Sequence, residues 1–149
     1  MHSFPAPRFR RVVKLIVIDS VHRIALLPRR ARHRTWVLPQ RCARLDETYG
    51  NAAADLCRDL LDSYPIRLGS VTGRRWAPAP EGLTPRAEAR FYIVRVDAVP
   101  VDEGPGRSPL WAPRAVLGLW LGRPDVEAVK VLVDGYLDGW LPDGPITLD

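Results

Sequence analysis

Residues 58–66 read RDLLDSYPI, and their reading decides how the rest of the chain is organised. Just upstream, Ala53, Leu56, Cys57, Leu60, Leu61 and Tyr64 recur at spacings of three and four, which predicts a helix from about Asn51 to Tyr64 with one apolar face. Pro65 ends that helix, because the residue before a proline is pushed out of the α region. The other face carries Asp55, Arg58, Asp59 and Asp62. Acids three or four apart share a helix face, so these side chains serve either as metal ligands or as the wet flank of an amphipathic helix, with Arg58 paired to Asp55 or Asp62.

Working outward, RRVVKLIVID (10–19) and IALLPRR (24–30) flank the turn-like SVHR and read as a hairpin of two strands rich in aliphatic residues. The basic run RRARHR (29–34) is a polar loop, and TWVLP (35–39) a short third strand stopped by Pro39. Strands return at 66–73 and 88–99, separated by a loop with three prolines. PRAVLGLWL (113–121) reads as a short helix. The stretch 124–140 is a longer one, with Pro124 in its first turn, Asp125 and Glu127 near the positive end of its dipole, and apolar residues at 126, 129, 132, 133 and 136. This order of elements predicts a single α/β or α+β sandwich domain over 1–149, with residues 1–8 a flexible N-terminus and 141–149 a C-terminal tail.

Composition narrows the function classes only coarsely. The formal charge of +5 favours anionic ligands, since a positive field concentrates phosphates, but 20 of the 22 basic residues are Arg spread along the chain, which argues against a nucleic-acid groove. Cys42 and Cys57 have no zinc or disulfide-framework spacing, and no apolar run approaches the ~20 residues of a membrane span. The expectation is a reduced, cytoplasmic protein without membrane attachment, compatible with a homodimer. His22 and His33 lack partners at ligand spacing and read as turn and surface residues.

The order strand, Arg-rich loop, Trp-x-Leu-Pro, loop with a Glu, then Arg-acid-aliphatic-x-acid and an aliphatic strand resembles the Nudix superfamily. The family box is Gly, five residues, Glu, seven residues, Arg-Glu, an aliphatic, any residue, Glu-Glu, any residue, Gly, an aliphatic. Arg58, Asp59, Leu60, Leu61, Asp62, Ser63, Tyr64, Pro65 and Ile66 fall on its second half in order. LLPRR, WVLP and LWAPRAVLGL extend the likeness over most of the chain. Departures are concentrated in the box. Gln40 and Arg41 replace a glycine pair, aspartates replace two glutamates, Ser63 replaces the third, Pro65 replaces the Gly, and ten residues separate Glu47 from Arg58 where the family has seven. A second register restores that spacing by putting Asp55 at the Arg position and Asp59 at a helical Glu, but it leaves one helical acid, so the first matches more positions.

The resemblance implies an α/β/α sandwich with a mixed central sheet and a C-terminal helix. It also implies hydrolysis of a phosphoanhydride in a nucleoside-diphosphate-linked or related phosphorylated small molecule. Mg²⁺ (or Mn²⁺) would be held by Asp55, Asp59 and Asp62, because hard cations held by carboxylates neutralise a pyrophosphate and acidify bound water. In that reading Asp59, Asp62, Arg58 and Glu47 are the catalytic candidates. Arg29, Arg30 and Arg41, as guanidinium forks for phosphate, with Trp36 as a stacking surface and Glu88 as an added acid, are the substrate-binding candidates. The departures motivate a second reading, a catalytically inactive Nudix-like domain that binds a nucleotide-like ligand or a protein partner.

Overall fold

The computed structural model describes residues 9–28, 36–61, 66–77, 86–96, 110–139 and 144–148. Strand β1 (Phe9–Ile18) lies at the centre, and its alternation decides the layering: Val13, Leu15 and Val17 face one side while Ile16 and Ile18 face the other, all fully buried. A strand buried on both faces reads as a continuous apolar run, which is why LIVI looks as it does. β2 (Arg23–Pro28) follows antiparallel, then β3 (Trp36–Val37), and β4 (Gln40–Cys42) returns to pair with the first half of β1.

Helix α1 (Tyr49–Leu61) starts at Thr48, whose Oγ1 accepts from the Asn51 amide at 3.1 Å, a side-chain N-cap. It buries Ala52, Ala53, Cys57 and Leu61 against Val13, Leu15 and Val17. β5 (Ile66–Ala77) and β6 (Arg86–Val96) form an antiparallel pair, and β6 lies parallel to β1. β7 (Leu110–Pro113) pairs with β2 and leads into a 3-10 helix, Arg114–Leu119. Helix α2 (Arg123–Asp138) covers the second face with Val129, Leu132 and Val133, and β8 (Gly144–Leu148) closes the sheet edge parallel to β5. The main path of the sheet runs β3-β2-β1-β6-β5-β8.

The result is the mixed sheet between helices expected from the sequence. Two glycines are fixed by geometry. A Cβ on Gly73 would sit 2.7 Å from Leu132 Cδ1, so glycine there lets α2 approach β5, and Gly139 at φ 75° ends α2 in the left-handed conformation. The turn between β1 and β2 is built by Asp19, fully buried, which accepts from the amides of Val21 (3.0 Å) and Arg23 (2.8 Å) and from Arg23 Nε (2.7 Å). That carboxylate holds His22 at φ 64°, a conformation otherwise unfavourable for a side-chain-bearing residue.

Three strands depart from the sequence reading. The 141–149 stretch, expected as a tail, supplies β8; LWAP (110–113), read as the approach to a helix, supplies β7; and QRC (40–42) forms β4 inside the expected loop. Residues 1–8 lie outside the described residues. Among those described, no helix is long and apolar enough to cross a membrane.

Candidate functional site: an arginine-held groove beside the first helix

β4 and α1 together shape a groove of about 630 Å³ lined by Arg41, Cys42, Arg44, Asp55, Arg58 and Asp59. The register of β4 against β1 places Arg41 opposite Val13, which faces α1, so the Arg41 guanidinium is delivered to the helix side. There it grips Glu47 with both arms, Nη1 to Oε1 at 2.8 Å and Nη2 to Oε2 at 2.7 Å, and Nη2 also lies 3.5 Å from Asp55 Oδ2. The Arg44 amide donates to the same Glu47 at 3.1 Å. Bidentate pairs of this kind are the strongest and most directional ion pairs a guanidinium makes. Asp55 is further engaged by Arg58, one helical turn on. Asp59 is exposed on the groove wall and makes no ion pair with any described residue.

The structure therefore brings together Arg41, Glu47, Asp55, Arg58 and Asp59, of which Arg58 holds Asp55. Trp36 lies elsewhere, edge-on to Trp120 with ring centroids 6.5 Å apart and packed against the α2-side core. Arg29, Arg30 and Asp62 lie outside the described residues. Arg44 was not singled out from sequence; its place on a short strand's exit gives no periodic signal.

Among the described residues, which do not include Asp62, the donors beside α1 make up no divalent-ion site. Among the described residues no group of three or more His, Cys, Asp or Glu is placed to hold a metal. Both Glu47 oxygens are taken by Arg41, and Asp55 is shared between two guanidinium groups.

Glu88 sits apart, 3% exposed, on the α1 side of the sheet in the row Arg11, Glu88, Trp76. Arg90 Nε donates to it at 2.8 Å and Arg74 Nη2 at 3.1 Å. The Arg11 and Arg90 guanidinium carbons each lie over the Tyr49 ring, 4.4 and 4.6 Å from its centroid, and Arg74 lies 5.2 Å from the Trp76 ring centroid. Burial by itself raises the Glu88 carboxyl, but the hydrogen bond from Arg90, the adjacent Tyr49 hydroxyl and the charges of Arg90 and Arg74 more than offset it, so its pKa is lowered. The Tyr49 phenol is pushed up, first by burial and then by Glu88. Despite that neighbour, Tyr49 Oη closes no well-formed hydrogen bond, and Arg74 Nε is likewise buried without a partner. Each such orphan costs about 1–3 kcal/mol. Cys57, beneath α1, is inert: burial pushes its thiol up to about 11.

No family model matches the chain, and no curated protein matches it in sequence. Solved structures share its fold. An Ap4A hydrolase of C. elegans superimposes with a TM-score of 0.69 at 11% identity over 87% of this chain and 98% of that one. A NUDIX hydrolase from Nitrosomonas europaea gives 0.61 at 12% identity over 90% and 97%. A chain of the complex between the C-terminal domain of mouse MUTYH and human PCNA gives 0.66 at 12% over 93% and 95%. At these identities the likeness is one of fold. With residues 58–61 of the box-like segment on α1 and two helices enclosing a mixed sheet, the chain has a Nudix-like fold.

Proposed function

We propose that this chain binds a phosphorylated small molecule in the groove beside α1 and does so without a divalent ion held by the helix acids. One observation carries this reading: the Arg41 fork closes on Glu47 and reaches Asp55, so two of the three acids around the groove already have a cation. Arg44 and Arg58 remain at the rim, where guanidinium groups match phosphate oxygens. The substrate class is that suggested by the fold neighbours, nucleoside-diphosphate-linked or polyphosphate compounds, bound by their phosphates.

The roles divide by position. Arg58 is half released to solvent and turns toward an incoming phosphate at little cost, because its pair with Asp55 is an exposed i, i+3 contact. Arg41 is a positioning residue, holding the loop at Glu47 against the start of α1. Asp59 disfavours a polyanion and selects for ligands whose charge lies toward Arg44 and Arg58.

Calorimetry against nucleoside diphosphate sugars, dinucleotide polyphosphates and nucleoside triphosphates, with a chelator and then with Mg²⁺, tests the reading. The expected result is binding of equal strength in both conditions with no product released. Mg²⁺-dependent turnover would overturn it. That outcome would instead favour a phosphoanhydride hydrolase using Asp59 and Asp62 with Mg²⁺ or Mn²⁺, a reading to which the unpaired Asp59 lends its one specific support.

A further inference from the structure

We infer that the arginine cluster around Glu88 is a second anion site, separate from the groove, that takes a tetrahedral oxyanion between Arg11, Arg74 and Arg90. Arg74 and Arg90 both donate to Glu88, and the Arg11 guanidinium lies over the Tyr49 ring as that of Arg90 does, with Nη1 donating to the Arg44 carbonyl, so among the described residues three guanidinium groups share one carboxylate. Register explains how they converge: Arg11 and Trp76 flank Glu88 in one cross-strand row, and Arg74 flanks Arg90 in the next, so three strands contribute to one patch on the α1 side.

Charge alone describes a solvated surface, but one donor in this patch is not solvated: Arg74 Nε is buried and carries no hydrogen bond. A buried polar group left unpaired in a native fold calls for a partner. Tyr49 Oη, also without a well-formed bond, lies against the Glu88 carboxylate, which serves as its acceptor. The partner that Arg74 Nε fits is an acceptor with negative charge, and that donor has already lost its water.

Access is from the outer side of the cluster, where Arg74 is 39% and Arg90 28% exposed in their side chains. The Glu88 carboxylate holds Arg74 and Arg90 together, and the strand register sets Arg11 beside it. That carboxylate also limits the site to an anion with a compact head, free or carried on a group that extends toward solvent. Inorganic phosphate and the phosphoryl group of a ligand share the required chemistry. The inference does not depend on what the groove binds.

Inorganic phosphate and, in a second arm, phenyl phosphate are titrated into the intact chain under chelator and followed by calorimetry. Saturable binding is expected, weakened about fivefold or more in Arg74→Gln and in Arg90→Gln, and changed less than about twofold in Arg114→Gln, whose exposed pair with Asp134 lies away from both sites. Equal affinity in the two arms assigns the site to the free ion; tighter phenyl phosphate assigns it to a ligand's phosphoryl group with the ring against Trp76. Arg74→Lys separates binding from structure, because it keeps a cation beside Glu88 and removes the Nε donor, so the melting temperature stays close to that of the parent chain while phosphate weakens about threefold. Absence of saturable binding overturns the inference. So does an Arg114→Gln loss as large as that of Arg90→Gln, which would place the anion at no one cluster; and because Arg58→Gln reads the groove by itself, failure there and failure here are told apart.

Discussion

The two helices are tied to the sheet by ion networks of opposite arithmetic. At α2, one acid serves two cations: Asp125 takes Lys14 Nζ at 2.9 Å and Arg75 at 2.7 Å, all three side chains are 15% exposed or less, and both cations lie over the Phe91 ring. At α1, one cation serves two acids, Arg41 between Glu47 and Asp55. The first network is the more buried. Its acid sits in the first turn of α2, where the helix dipole favours negative charge, and its surplus positive charge rests on an aromatic face. The second opens on a groove with further arginines at its rim. A brace and a site are thus built from the same residue types, and exposure separates them.

The contrast breaks most visibly at the brace. Asp125→Ala leaves Lys14 and Arg75 close together without their shared acid and should destabilise the chain by about 3 kcal/mol, read from denaturant midpoints. Arg41→Ala should cost less, about 1–2 kcal/mol, because Glu47 regains water through the groove. If the two losses are equal, the groove is as buried as the brace and the distinction fails.

The Glu88 cluster gives the next effect, in pH. A lowered folded pKa means that the ionised carboxylate is the stabilising form. Its contribution is complete above the unfolded carboxyl value of about 4.3 and is lost as pH falls through the lower folded value. Glu88→Gln should flatten that acid limb of the stability curve; an unchanged limb would show that other carboxylates carry it. Smallest is Arg58→Ala, expected within about 0.5 kcal/mol, since its pair with Asp55 is 72% and 41% exposed. A loss above 1 kcal/mol would mean Arg58 belongs to the frame of α1 rather than to the rim of the groove.

Much of the fold was legible because α1, α2, β1 and β6 carry their own periodicity. β4, β7 and β8 were not, since QRC, LWAP and GPITL owe their extended state to pairing with β1, β2 and β5 rather than to any pattern within themselves. The site divides the same way. Arg58 with Asp55 follows from helical spacing, and Glu88 with Arg90 from two residues along one strand face. Arg41 with Glu47 joins a strand to a loop across six positions, a contact no periodicity encodes, and Arg74 with Glu88 requires the β5–β6 register, which shifts between Leu68 and Thr72. The sequence therefore showed which acids were present and not which cation held them.

Titration of Mn²⁺ into the chain, followed by the electron-spin-resonance signal of the free ion, tests the central claim most directly. The account predicts a signal that rises in proportion to added Mn²⁺, as in buffer, because Arg41 already occupies Glu47 and Asp55, and Asp59 alone supplies too few ligands. Stoichiometric loss of that signal, restored by Asp59→Asn, would contradict it and return the groove to metal-dependent chemistry.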